Sequence, residues 1–209
     1  TPMQVYLDDQ LVPIDRPSLR LALATAARVA ESKGRVIVAA LADGTPVADQ
    51  VLQAPTDEFS SIVELKLRSA SPAQIVGELL QHAAEAVDSV RDTQQHAANL
   101  VQAGNLKAVT EPLQTIFTVW QAVSDGLSNA ATMLDIDLST QRVPDGTGGA
   151  LAIAPLIEIL VERLTSLRAA LQNGDVSALA DCLAYDLEDS AKDWSAMLRG
   201  LREVLSKVP

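Results

Sequence analysis

The chain has 209 residues, with 16 Lys and Arg against 27 Asp and Glu, a net charge of −11, and 48% hydrophobic residues of which few are aromatic. That balance repels nucleic-acid phosphates and anionic lipid surfaces, and no apolar run approaches the roughly 18 residues that cross a bilayer. The N-terminus lacks a basic stretch followed by an apolar one, and the single cysteine, Cys182, excludes an internal disulfide, so the expectation is a cytoplasmic protein with neither nucleic acid nor membrane as partner.

In chain order, Gln4-Val5-Tyr6-Leu7 and Leu11-Val12-Pro13-Ile14 flank Asp8-Asp9-Gln10, which predicts a hairpin. Asp15 and Pro17 predict a helix start, continued by Leu19, Leu23, Ala26, Ala27 and Ala30 and stopped at Gly34. The apolar run over 36–41 predicts a buried strand, and Asp43-Gly44 a tight turn into a short edge strand at Thr45-Pro46-Val47. A one-turn segment is expected over 49–53. Residues 62–68 then alternate apolar and charged, as a strand with one wet face does.

This order of strand, strand, helix, strand, short strand, strand resembles the ubiquitin-like β-grasp pattern, which implies a mixed sheet whose first and last strands lie side by side. Modifiers and sulfur carriers of that kind end in a diglycine. Here Ser69-Ala70 lead directly into a helix, so the resemblance implies a docking or scaffold role for residues 3–70 and not conjugation.

Ser71-Pro72-Ala73-Gln74 is a capping box with proline at the first helical position, which opens a helix. Its expected inner face is Ile75, Leu79, Ala83, Ala86, Val90, Ala97 and Val101, and Gly104 ends it. Asn105 is the expected cap of a second helix with a seam at Val109, Leu113, Ile116, Trp120, Val123, Leu127, Ala130 and Leu134, kinked at Pro112. Pro144, Gly146, Gly148 and Gly149 predict a long loop over 135–149. A third helix follows, with Ile153, Ile157, Leu160, Leu164, Leu167 and Leu171, and a fourth is capped by Asp175 and seamed by Val176, Ala180, Leu183, Leu187, Trp194, Met197, Leu201 and Val204. The expected fold is α+β: a β-grasp unit over 3–70, then an antiparallel four-helix bundle over 71–208 with loop 135–149 between its two helical hairpins. A weak internal repeat lays residues 102–113 over 172–183; both are helical hairpin turns, with Gly104-Asn105 matching Gly174-Asp175.

Acidic residues outnumber basic ones by 18 to 9 after Ala70 and by 9 to 7 before it. Within that acidic half, Glu78 with His82 and Asp92 with His96 are the candidate metal pairs, each four residues apart on one helix face. The two histidines are about 21 Å apart along a helix, and no second helix supplies a Glu-x-x-His, so no metal or other cofactor is expected. Cys182 lies on an apolar flank beside Asp181 and Asp186, which suits a buried and unreactive thiol. The amides of Asp145-Gly146-Thr147-Gly148-Gly149 could meet an anion but have no lysine beside them. Asp135-Ile136-Asp137 opens like a calcium loop, yet Thr140 and Gly146 stand where a glycine and a glutamate are required. Trp120 and Trp194 read as core anchors, and Arg163, Arg168, Lys192, Arg199 and Arg202 as a solvated face. No catalytic set emerges. The leading expectation is a non-enzymatic protein-protein interaction or scaffold protein that binds a protein partner or itself; the alternatives are a ligand- or metal-binding sensor bundle and an unrecognised enzyme.

Overall fold

A computed structural model describes residues 3–48, 51–52, 54–55, 61–146 and 148–207. The fold is α+β, and the chain divides into two compact units, Thr1–Ile75 and Val76–Pro209. Among the described residues no helix is long and apolar enough to cross a membrane. Of the one-turn segment expected over 49–53, Val51 and Leu52 are helical, and Asp49, Gln50 and Gln53 lie outside the described residues.

The first unit holds β1 (Gln4–Leu7), β2 (Gln10–Val12), α1 (Leu19–Glu31), β3 (Val36–Ala42), β4 (Thr45–Pro46) and β5 (Glu64–Ala70). The strands form one mixed sheet in the order β2-β1-β5-β3-β4, with β1 parallel to β5 and the other pairs antiparallel. Asp8 and Asp9 both take positive φ, 50° and 64°, as do Asp43 and Gly44 at 49° and 83°. Two-residue turns of that hand follow the twist of the strands they join. Asp43 does more than turn the chain: its carboxylate accepts the Val63 and Glu64 N–H groups at 3.1 and 2.8 Å. Likewise the Asp8 carboxylate accepts from the Ser69 hydroxyl at 2.5 Å and the Ser69 amide at 2.8 Å, bonds that hold it below the usual carboxylate range. Arg35 completes this clasp by donating to the Ser69 hydroxyl and carbonyl at 2.8 and 2.6 Å.

Strand register sends Val5, Leu7, Val12, Ala40, Leu65 and Leu67 to one face, where they are buried in one cluster with Leu19, Ala22, Ala26 and Ala30 of α1. Two expectations need correction here. The helix starts at Leu19, not after Asp15, because Ser18 is extended and takes the cap, accepting the Leu21 N–H. And β3 is not a buried strand: only Ala40 is buried, while Val36, Val38 and Leu41 are exposed. An unbroken apolar run cannot distinguish a strand covered on both faces from one that leaves a face open.

The helices are α2 (Pro72–Gln102), α3 (Thr110–Leu134), α4 (Ile153–Asn173), α5 (Val176–Asp181) and α6 (Leu187–Ser206), with a π-helical turn (Cys182–Asp186) between the last two. The capping box at the start of α2 is reciprocal: Ser71 Oγ accepts the Gln74 amide at 3.2 Å and Gln74 Oε1 accepts the Ser71 amide at 3.0 Å. In the second unit the buried face of α2 is Val76, Leu80, Ala84, Val87 and Val90, one residue on from the expected Ile75, Leu79, Ala83 and Ala86. Alanines on both flanks make the two stripes equally apolar in sequence, and packing chooses between them. The α3 seam from Leu113 to Ala130 is buried as read. Its helix begins at Thr110, so Asn105 is not its cap, and Pro112 sits in the first turn, where a missing N–H breaks no intrahelical bond and no kink is required.

All these helices share one core, with Trp120 and Trp194 buried at its centre in an edge-to-face pair, ring centroids 5.7 Å apart. On α4, Ile153, Leu156, Leu160, Leu167 and Ala170 are buried, and the expected Leu171 is partly exposed, as are Val176 and Val204. The region read as a loop carries a two-stranded hairpin, β6 (Arg142–Pro144) with β7 (Ala150–Ala152). Its strands are too short to show a period. Pro144 is tolerated in so short a ribbon, which has no central strand, and Gly146 and Gly148 supply positive φ in its loop.

Candidate functional site

Polar side chains converge where α2, α6 and the β6/β7 hairpin of the second unit enclose a cleft of about 400 Å³. On α2, Asp88 and Arg91 are three residues apart. On α6, Glu188, Lys192, Ser195 and Arg199 recur every three or four, so both sets lie on single helix faces. Arg91 grips Glu188 through two nitrogens, with Nε at 3.0 Å and Nη2 at 2.5 Å. Arg199 Nη2 donates to Asp88 at 2.5 Å, and Ser195 donates to the same carboxylate at 2.8 Å while accepting from Arg199. Lys192 completes the row at 3.5 Å from Glu188 and 3.6 Å from Asp189. Burial pushes the Asp88 carboxyl up, but the bonds from Arg199 and Ser195 outweigh it and hold the group below its ordinary value. The Arg91 guanidinium does the same for Glu188.

Each charge of this row is matched by its neighbour, and Ser195 is engaged both as donor and as acceptor. The arrangement ties α2 to α6. Exposed pairs of this kind contribute little each, roughly 0–1 kcal/mol. Lys192, Arg199 and Arg202 are exposed, as expected of a solvated face, and each also has a partner, Arg202 donating to Gln81 at 3.0 Å. Arg163 has a more specific place. It donates to Ser190 Oγ at 2.8 Å and to the Asp186 carbonyl, at the end of the π-helical turn.

The hairpin reaches this cleft through a close backbone approach. A Cβ added at Gly200 on α6 would lie 2.3 Å from the Pro144 carbonyl oxygen and 3.2 Å from Val143 Cβ. We therefore expect Gly200→Ala to lower stability by about 1 kcal/mol, overpacking exceeding the gain in helix propensity. At Gly126 on α3 the added atom meets only Leu79 Cδ1 at 3.8 Å, so Gly126→Ala should raise stability by about 0.5–1 kcal/mol. Chemical denaturation of the two variants, read side by side, checks the opposite signs.

The residues singled out from sequence are placed as follows. Glu78, His82, Asp92 and His96 are all exposed on α2, and among the described residues no group of three or more His, Cys, Asp or Glu could hold a metal ion. Cys182 is buried and donates to the Arg163 carbonyl at 3.5 Å. Desolvation, reinforced by Asp186, pushes its thiol up to about 11. Asp145 already accepts the Gly149 amide at 2.8 Å, occupying one of the N–H groups considered for an anion; Thr147 of that segment lies outside the described residues. Asp137 is turned onto Ser139, whose amide and hydroxyl donate to it at 2.9 and 2.7 Å.

The first unit presents a different surface. Cross-strand pairing sets Leu11, Tyr6, Lys66, Leu41 and Pro46 in one row on the sheet face opposite α1. Leu11 is 64% exposed and Leu41 37%, and farther along β3 Val36 and Val38 are 46% and 45% exposed. Lys66 is paired with Glu64 at 3.0 Å, so the row carries little net charge. Sequence reading missed this face because it assigned the β3 apolar residues to the core. Comparison with family models, with curated proteins and with solved structures finds no match for the chain.

Proposed function

We propose that the chain is a non-enzymatic interaction protein that associates with a second copy of itself through the open face of its sheet, displaying an acidic helical scaffold. In this reading the first unit is a ubiquitin-like β-grasp module, supported by the parallel pairing of β1 with β5 and the single helix packed on one face. The second is a four-helix bundle, supported by a core shared among its helices. A cytoplasmic setting accords with a lone, buried thiol.

The observation that carries the proposal is the set of exposed apolar residues on the sheet, Leu11 on β2 and Val36, Val38 and Leu41 on β3. Large apolar side chains gathered on one exposed element mark an interaction site. A copy is the partner this face accommodates: the net charge of −11 opposes association elsewhere on the chain, whereas this face, with Glu64, Lys66 and Arg68, is close to neutral and holds both signs, so that two copies can match charge for charge. Two-fold packing would set the same patch against itself.

Sedimentation equilibrium of the full chain between about 10 µM and 1 mM, a range suited to weak association, should show a monomer–dimer equilibrium that Leu41→Asp shifts to monomer. A monomer throughout this range rejects the proposal. So does a dimer that Leu41→Asp leaves unchanged, and a different protein bound at this face would reject the choice of partner.

A further inference from the structure

The second unit contains another cavity, of about 430 Å³ and distinct from the ionic cleft, at the end where its two helical hairpins turn. The turns are built alike. Gly104 and Gly174 take φ of 73° and 66°, and the following residue donates back to the carbonyl five positions earlier, Asn105 to Leu100 and Asp175 to Ala170, each at 2.9 Å. Beyond each glycine the equivalent positions contribute to the same cavity: Leu106 and Val176 two residues on, Val109 and Leu179 five residues on. The cavity is therefore walled by matching elements of the internal repeat. It opens past Leu106, Leu171 and Val176, which are 46%, 36% and 40% exposed.

We infer that this cavity binds an uncharged, predominantly apolar small molecule. None of its eleven lining residues is charged, in a chain where 21% of residues are. A ligand with a formal charge would lose its hydration there and gain no counter-ion. Thr110 and Gln114, one turn apart on α3, are the polar side chains of the lining and can take one hydroxyl or carbonyl from the ligand. The volume falls within the roughly 300–1,000 Å³ of small-molecule sites, which combine an apolar lining with a few polar groups. This inference is independent of self-association through the sheet.

The test uses the full-length chain and the neutral fluorophore N-phenyl-1-naphthylamine. Saturable binding with blue-shifted emission is expected, together with a rise in Tm that grows with probe concentration, because a ligand that prefers the folded state stabilises it. Val176→Glu places a carboxylate at the mouth in the first turn of α5, where the helix dipole favours it, and should lower affinity at least tenfold while the chain stays folded. Val161→Glu, at an exposed position on α4 outside the cavity, should bind as the unaltered chain does. Absence of saturable binding overturns the inference. So does equal affinity in Val176→Glu, equal loss in Val161→Glu, or binding that Leu41→Asp abolishes and Val176→Glu spares.

Discussion

Replacing Trp194 with alanine should lower the stability of the helical unit by about 4 kcal/mol, the scale of a large aromatic removed from a close-packed core. The side chain is 2% exposed, stands edge-on to Trp120, and donates its indole N–H to the Leu156 carbonyl at 3.2 Å. Truncation removes all three interactions at once and leaves a void between rigid helices. Trp194→Phe keeps an aromatic ring and loses the hydrogen bond, so its effect should be smaller, about 1–2 kcal/mol. With Trp194 gone, Trp120 is the remaining tryptophan, and its fluorescence follows the urea transition directly. A loss below about 1 kcal/mol in the alanine variant, far under the usual range, would show that the tryptophan pair does not anchor this core.

The second large effect has the opposite sign. Gln94 is 1% exposed on α2, and among the described residues neither its amide nitrogen nor its carbonyl oxygen has a hydrogen-bond partner. Burying an amide so placed is unfavourable, whereas leucine fills a similar volume with no polar group to satisfy. Gln94→Leu should therefore raise the unfolding free energy by about 2 kcal/mol, the order of a buried group's desolvation penalty. Urea denaturation measures it against the unaltered chain. A drop in stability would mean that the amide has a function in the core that its surroundings do not reveal. Trp120 Nε1 likewise has no partner among the described residues, so Trp120→Phe should be tolerated better than the equivalent change at Trp194.

Much of the architecture is legible in the sequence because local chemistry and global position agree there. Ser71 and Gln74 need each other's amides, and Gly104 and Gly174 accept a backbone that other residues resist. The α3 seam repeats over six buried positions, from Leu113 to Ala130, at alternating spacings of three and four. Legibility fails where a choice is made by the rest of the fold. Alanine on either side of the α2 stripe let the buried face shift by one residue. The β3 run is apolar whether one face or two are covered. The β6/β7 hairpin depends on Gly200 leaving room for Pro144, a condition 56 residues away in sequence. The ionic cleft was hidden for a related reason: its acids and bases are spaced helically on α2 and α6, but which carboxylate meets which cation is a matter of helix adjacency. The apolar cavity was half visible, since the repeat was readable and the meeting of its two copies was not.

Aliphatic ridges are poor rulers: a row of leucines and alanines offers much the same contacts after one rod slides along another by two turns. The Asp186 carbonyl at the end of the π-helical turn ends that degeneracy, because Arg163 on α4 reaches it at one axial setting. That guanidinium, which also reaches Ser190 Oγ, and the Trp194 indole on the Leu156 carbonyl thus index α4 against the α5–α6 rod, fixing a position that greasy side chains alone would leave free to slip.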